Sequence, residues 1–192
     1  MYRLIAIGLS AGGYPLIQRL LKALPKEFSL PLVVVAHLPG AEESCLAEML
    51  DTAAQLQVSM ATDKEALERG RVYIAPPGYH LLIEQDAHLA LRFALSVDEP
   101  VHSVRPSIDV LFESAAEVLE SDFIAVLLSG ANSDGADGMA TVKKLGGLCM
   151  VLDPRTSEFS IMQEAAIRRV EVDYVASIED IISLLLSVDE KS

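Results

Sequence analysis

Three short stretches of this 192-residue chain carry side chains that could cooperate in chemistry, and each directly follows an apolar run. The first is Gly8-Leu9-Ser10-Ala11-Gly12-Gly13. A serine at G-x-S-x-G spacing sits on a tight turn from strand to helix, where small neighbours let the backbone bend and present the hydroxyl. The backbone N–H groups after it, at a helix start, can hold developing negative charge. The same residues also read as a Gly-rich turn with a helix-capping serine. A degraded dinucleotide loop fits less well, because Ser10 replaces the middle glycine and no acidic residue ends the second strand.

The second stretch is Val34-Val35-Ala36-His37. His37 could take a proton from Ser10 if the first two strands are neighbours, as a βαβ unit favours. A structural histidine at a strand end is the alternative. The third is the loop Ser129–Gly138, with Asp134 and Asp137. Asp134 could fix the imidazole tautomer and stabilise the imidazolium, or simply cap the helix that follows it. Asp137 competes for either role. The other histidines have weaker claims: His80 follows a Pro-Pro-Gly turn, His88 falls in a hairpin and His102 in a loop.

The elements that must position these groups follow from periodicity. Strands are expected at Arg3–Ile7 (broken at Gly8), Leu32–Ala36, Val58–Ala61, Arg71–Ala75, Phe123–Leu128, Leu148–Leu152 and near Asp173–Ala176. Leu81–Glu84 and Ala87–Phe93 read as a hairpin turning at Gln85-Asp86. Helices are expected at Pro15–Leu24, Glu42–Leu56, Ile108–Leu119 (capped by Ser107), Gly138–Leu145, Ser160–Val170 and Ile178–Leu186; in the second, Leu46, Met49, Leu50 and Ala53 point inward. Fully apolar strands alternating with helices imply an α/β fold: a doubly wound, mostly parallel sheet with helices on both faces and a small β-hairpin insertion. With no linker, repeat or composition break, residues 1–192 form a single domain, and ligands should bind at the carboxyl ends of its strands.

Composition narrows the function. Apolar residues make up 51% of the chain and aromatic ones only 5%, so Leu, Ile, Val and Ala must build the core. Fifteen Lys+Arg against 28 Asp+Glu give a net charge of -13. Such a chain lacks the clustered cations that displace counterions from nucleic acid or dock on an anionic membrane. No apolar run approaches the ~20 residues that span a bilayer. Cys45 and Cys149 form no CxxC and no metal-ligand spacing; they read as reduced, buried residues of a cytoplasmic protein, with no metal and no cofactor required.

Together these pieces resemble the catalytic domain of the chemotaxis protein-glutamate methylesterases. Ile7–Gly13 is similar to that family's I-G-x-S-x-G-G, and Ala36-His37-Leu38-Pro39 to its Q-H-M-P. Val72-Tyr73-Ile74-Ala75-Pro76 through His80 resembles V-Y-I-A-P-x-x-x-H, and Arg105–Phe112 resembles R-P-S-V-D-x-L-F. Gly130–Gly135 resembles G-M-G-x-D-G, with Ala131 and Asn132 where the family has Met and Gly. The likeness runs from about residue 3 to about residue 180. It implies a catalytic triad of Ser10, His37 and Asp134, with Ala11, Gly12 and Ala131 as oxyanion-hole candidates.

The expected activity is demethylation of γ-glutamyl methyl esters on the signalling helices of chemoreceptors, with possible deamidation of glutamines. Ala11 replaces the family's Thr, and residues 154–163 diverge, bringing Arg155 and Glu158 to the expected substrate groove. The altered Ala131, Asn132 and 154–163 regions motivate one alternative, a non-catalytic signalling module of the same fold; an esterase for a non-receptor substrate is a further one. Many family members carry an N-terminal receiver domain. None precedes the first strand here, so the protein is expected to be constitutively active, controlled in trans, or part of a larger signalling protein.

Overall fold

The structure is a computed structural model; it describes residues 1–37 and 41–190. Its main sheet has strands β1 (Leu4–Leu9), β2 (Leu32–Ala36), β3 (Gln57–Met60), β4 (Arg71–Ile74), β7 (Phe123–Leu127), β8 (Leu148–Leu152) and β9 (Tyr174–Ala176). They run in the order β3-β4-β2-β1-β7-β8-β9, every pairing parallel. β5 (His80–Gln85) and β6 (Leu91–Ser96) form the separate antiparallel hairpin. The helices are α1 (Tyr14–Ala23), α2 (Ala41–Asp51), α3 (Ile108–Leu119), α4 (Ala136–Lys144), α5 (Ile161–Arg169) and α6 (Ile178–Asp189). Among the described residues no helix is long and apolar enough to cross a membrane.

Alternate residues of each strand face opposite sides, and both sides are covered. Ile5, Ile7 and Leu9 of β1 pack with Ile17, Leu20 and Leu21 of α1, Leu46 and Leu50 of α2, and Ile181 and Leu185 of α6. Leu4 and Ala6 face α3, α4 and α5 through Ile108, Leu111, Phe112, Met139, Val142 and Met162. The hairpin adds Leu81, Ile83 and Phe93 to that second core, pinned by the Ile83 N–H donating to Ser114 Oγ at 3.1 Å. At about 1.5–3 kcal/mol for each large aliphatic or Phe side chain removed from water, these two layers hold the sheet that carries the site. As expected, Ser107 caps α3, its hydroxyl oxygen accepting the Val110 N–H.

Four readings of the sequence need correction. β1 does not break at Gly8 but continues to Leu9, with Gly8 paired to Val35 on one side and Leu127 on the other. Glycine is required there because a Cβ would lie 2.5 Å from Ile108 Cγ2; its absence lets the start of α3 press against the central strand. α2 ends not at Leu56 but at Asp51, whose carboxylate accepts the Val58 N–H at 2.8 Å and ties the helix end to β3; Met49 is exposed. The hairpin turns through a longer loop, because Asp86 Oδ1 accepts from the N–H groups of His88 and Ala90, which delays the second strand to Leu91. Cys45 is exposed; only Cys149 is buried.

The order of the sheet decides where a site can form. The chain passes from β1 to β2 on one side and later returns to place β7 on the other side of β1. The helices therefore diverge around β1, leaving a crevice at its carboxyl end. The loops after β1, β2 and β7 are those that carry Ser10, His37 and Asp134.

Candidate active site

Backbone pairing brings Ser10 and His37 side by side. The last register pair of β1 and β2 is Leu9 with Ala36, and the His37 N–H donates to the Leu9 carbonyl at 3.0 Å. On the other flank the Ser10 N–H donates to the Ser129 carbonyl at 2.8 Å. The tight turn after Ser10 falls on Gly12, whose φ of +74° would strain any other residue. A Cβ at Gly12 would also lie 2.9 Å from Ser129 Oγ and 3.0 Å from the Phe159 ring. The turn leaves the N–H groups of Ala11 and Gly12 without hydrogen-bond acceptors among the described residues, at the start of α1. Ala131, the remaining oxyanion candidate, is exposed in the facing loop, and its N–H likewise has no acceptor among the described residues.

Asp134 is fully buried. Its Oδ2 lies 3.2 Å from His37 Nε2 and accepts the Ile108 N–H at 2.6 Å, while Oδ1 accepts from Ser107 Oγ at 2.7 Å and from the Asp109 N–H at 3.2 Å. The two sequence readings of this residue therefore merge, with one change. Asp134 does occupy a helix N-terminus, but that of α3, 25–27 positions away in sequence; α4, which follows it, has Gly135 at its N-cap and no side-chain cap. Burial pushes the Asp134 carboxyl upward, but the hydrogen bonds from His37, Ile108 and Ser107 prevail and hold it below the ordinary carboxylate range. It is a carboxylate whose charge is stabilised by donors from two directions. Asp137 is exposed and pairs with Arg169 at 2.6 Å, so it does not compete for His37.

The imidazole has a defined tautomer. His37 Nε2 faces two acceptors, Asp134 Oδ2 and the Pro106 carbonyl at 3.0 Å, so the proton of the neutral ring belongs on Nε2. Nδ1 is then the basic nitrogen. It lies 3.3 Å from Asn132 Nδ2, and the orientation of that amide is set by its Oδ1 accepting the Asp134 N–H at 3.3 Å. Asn132 is not in the left-handed region, so the residue is not there to permit a turn. Among the described residues the Ser10 hydroxyl has no hydrogen-bond partner, and no Ser10–His37 hydrogen bond is formed. Leu38 and Pro39 of the His37 motif lie outside the described residues.

Around this centre, Ser129 Oγ donates to the Ala11 carbonyl at 2.7 Å and Ser157 Oγ donates to Ser129 Oγ at 2.9 Å. These contacts hold residues 157–162 against the Ser10 loop and set the partly exposed Phe159 beside Gly12. Arg155 is tied to Asp153 through both carboxylate oxygens. His80, by contrast, is buried behind the site: its Nδ1 accepts the Ser107 N–H at 3.2 Å, and its Nε2 lies 3.1 Å from the Glu99 carbonyl. A second buried carboxyl, Asp109, accepts the Gly138 N–H at 2.6 Å; burial, added to by the charge of Asp134, pushes it up to about 7 against that hydrogen bond. Residue types alone hid Pro106, whose contribution is a carbonyl, and the second partner of Ser107, which was legible only as a cap.

A parallel α/β sheet with Ser10, His37 and the buried Asp134 on the three loops around its switch point defines a doubly wound α/β protein whose candidate site lies at the carboxyl ends of the strands. Within that class the chain belongs to the CheB methylesterase family, which it matches over residues 5–185. The crystal structure of the Thermotoga maritima CheB methylesterase catalytic domain is similar at a TM-score of 0.93 and 34% identity, over 98% of this chain and 99% of that one. A protein of Leptospira interrogans is 43% identical over 191 residues, covering 100% of this chain and 97% of its own; its name gives protein-glutamate methylesterase and protein-glutamine glutaminase as provisional activities. Protein-glutamate methylesterase/protein-glutamine glutaminase 2 of Methanospirillum hungatei is 42% identical over 158 residues, 82% of this chain and 43% of the longer relative.

Proposed function

We propose that this chain is a cytoplasmic protein-glutamate methylesterase acting on γ-glutamyl methyl esters of chemoreceptor signalling helices, and on receptor glutamines by the same route. The observation that carries the proposal is the histidine: Asp134 and the Pro106 carbonyl face Nε2 and favour its proton there, which leaves Nδ1 as the basic nitrogen of a residue whose backbone pairs with the end of the strand before Ser10. In this mechanism Ser10 Oγ attacks the ester carbonyl carbon as its proton passes to His37 Nδ1. The N–H groups of Ala11, Gly12 and Ala131 receive the oxyanion. The tetrahedral intermediate expels methanol, which takes its proton from His37. Water, deprotonated in turn by His37, then attacks the acyl-serine and releases the glutamate carboxylate. With a glutamine substrate the leaving group is ammonia. Asp134 stays ionised throughout and stabilises the imidazolium.

The absent Ser10–His37 hydrogen bond and the Asn132 contact to Nδ1 favour one rival, a non-catalytic signalling module. Hydrolysis of an activated ester, and release of methanol from methylated receptor, separate the two. Ser10→Ala should abolish both activities while leaving the melting temperature nearly unchanged, since the Ser10 side chain makes no hydrogen bond among the described residues. An inactive wild type, or a fully active Ser10→Ala variant, would overturn the proposal. Hydrolysis of the activated ester without methanol release would instead support an esterase for another substrate.

A further inference from the structure

We propose a divalent transition-metal site formed by His102, Asp109 and Asp137, whose ligand atoms lie within 4.8 Å of one another. The residues come from three places: the turn between Val101 and Val104, the first turn of α3 and the first turn of α4. No spacing in the sequence joins them.

The observation that points to an ion is Asp109. Its side chain is 4% exposed, and Oδ1 is occupied by the Gly138 N–H. Oδ2 is buried and has no hydrogen-bond partner among the described residues, although it lies 3.2 Å from His102 Nε2. A buried carboxylate oxygen without a donor is costly. The two atoms are close but form no hydrogen bond, and their spacing is one that two ligands of a single ion also take. Nitrogen and oxygen ligands at about 2.0–2.2 Å from a tetrahedral ion stand roughly 3.3–3.5 Å apart, close to the observed separation.

One imidazole and two carboxyl groups, with Asp109 giving up its proton as the ion binds, match the charge of a divalent ion and suit zinc or its neighbours better than calcium or magnesium. Asp137 Oδ1 pairs with Arg169, but both side chains are about half exposed, so the pair is weakly held. Beyond the three residues lies a cleft of about 300 Å³, bordered by Ser133, Ala136 and Arg168, which leaves room for water on the ion. Arg168 is compensated by Glu164 at 3.3 Å.

The test is calorimetric titration of Zn²⁺ into metal-stripped protein carrying Cys45→Ser, so that the exposed thiol cannot compete. The expected result is one saturable equivalent. Asp109→Asn risks the fold, so His102→Asn carries the test: His102 has φ +49°, a conformation asparagine tolerates, and its side chain is 39% exposed. Changing even an outer partner of a metal ligand costs about 10–100-fold in affinity, so losing this ligand should cost roughly tenfold or more. Asp137→Asn should weaken binding as well, and Co²⁺ should give the visible absorption of a low-coordinate ion in the parent but not in His102→Asn. Ser10→Ala should bind as the parent does, which keeps the outcome independent of the esterase reading. Unsaturable binding, or equal affinity in parent and His102→Asn, would overturn the proposal.

Discussion

In the proposed mechanism His37 Nδ1 takes the Ser10 proton, and the Asn132 amide that donates to this nitrogen would then act as a brake on the general base. For Ser10 to lose its proton, His37 Nδ1 must release the Asn132 amide, and once charged its new N–H would face the two hydrogens of Asn132 Nδ2. The contact is 3.3 Å long and joins neutral groups, which places it among ordinary hydrogen bonds with a net worth of about 0.5–1.5 kcal/mol. If that energy is spent between free enzyme and transition state, removing the amide should raise kcat/KM about 2- to 13-fold. Asn132→Ala is the direct variant, since the backbone there does not need asparagine. Asn132→Asp gives the opposite perturbation. It keeps an oxygen for the Asp134 N–H but sets a carboxylate against Nδ1, drawing the ring proton to that nitrogen and taking the base out of service. Initial rates on an activated ester, measured for both variants at low substrate and constant ionic strength, provide the assay. Faster hydrolysis in Asn132→Ala with slower hydrolysis in Asn132→Asp is expected. Unchanged rates in both would refute the reasoning and would mean that Nδ1 is not the base.

Other outcomes follow from the same geometry. Asp134→Asn should cut turnover severely, because the imidazolium loses its countercharge, and should lower stability by about 1.5–3 kcal/mol at neutral pH through loss of charge-assisted bonds. Because Asp134 is held below its ordinary range, its contribution is present above about pH 4 and lost as pH falls through the lowered folded value. Denaturation of wild type and variant should therefore differ most near neutrality and converge in acid; a gap that widened in acid would contradict this. Gly8→Ala should destabilise the fold by about 1–3 kcal/mol through overpacking against Ile108 and should also lower activity by shifting the α3 N-terminus, as thermal melts and ester assays would show. Burial, then the charge of Asp173, pushes the Cys149 thiol up to about 12, so at pH 8 only roughly one in ten thousand is thiolate. A thiol reagent should titrate one cysteine, Cys45, in the native protein and two after denaturation.

Much of this was legible in the residues themselves. A fully apolar strand such as Leu32–Ala36 can be stable only if both its faces are covered, so the pattern already implied a parallel sheet between helix layers. Ser107 was legible as a cap because the donors it satisfies lie within one helical turn of it. The three catalytic candidates were each placed after a strand, and strand ends are where an α/β sheet binds ligands. Errors arose where a local signal met a distant partner. Gly8 looked like a strand breaker, yet it is a cleared space for Ile108, a hundred positions along the chain. The hairpin turn moved because Asp86 makes two backbone bonds that compete with strand pairing.

What the sequence determined by itself was therefore the supply of groups and their addresses: a serine on a tight strand-to-helix turn, a strand-end histidine and an aspartate in a glycine-rich loop. Their roles depended on contacts between segments 25 to 97 residues apart. The helix that Asp134 caps, the nitrogen of His37 that carries the proton and the burden placed on that ring by Asn132 all arise from the approach of three loops around β1. Sequence periodicity fixes which face a residue turns to the core. Hydrogen bonds and charges act over a few ångströms, and only the packed sheet, with β2 and β7 on either side of β1, brings those groups within that range.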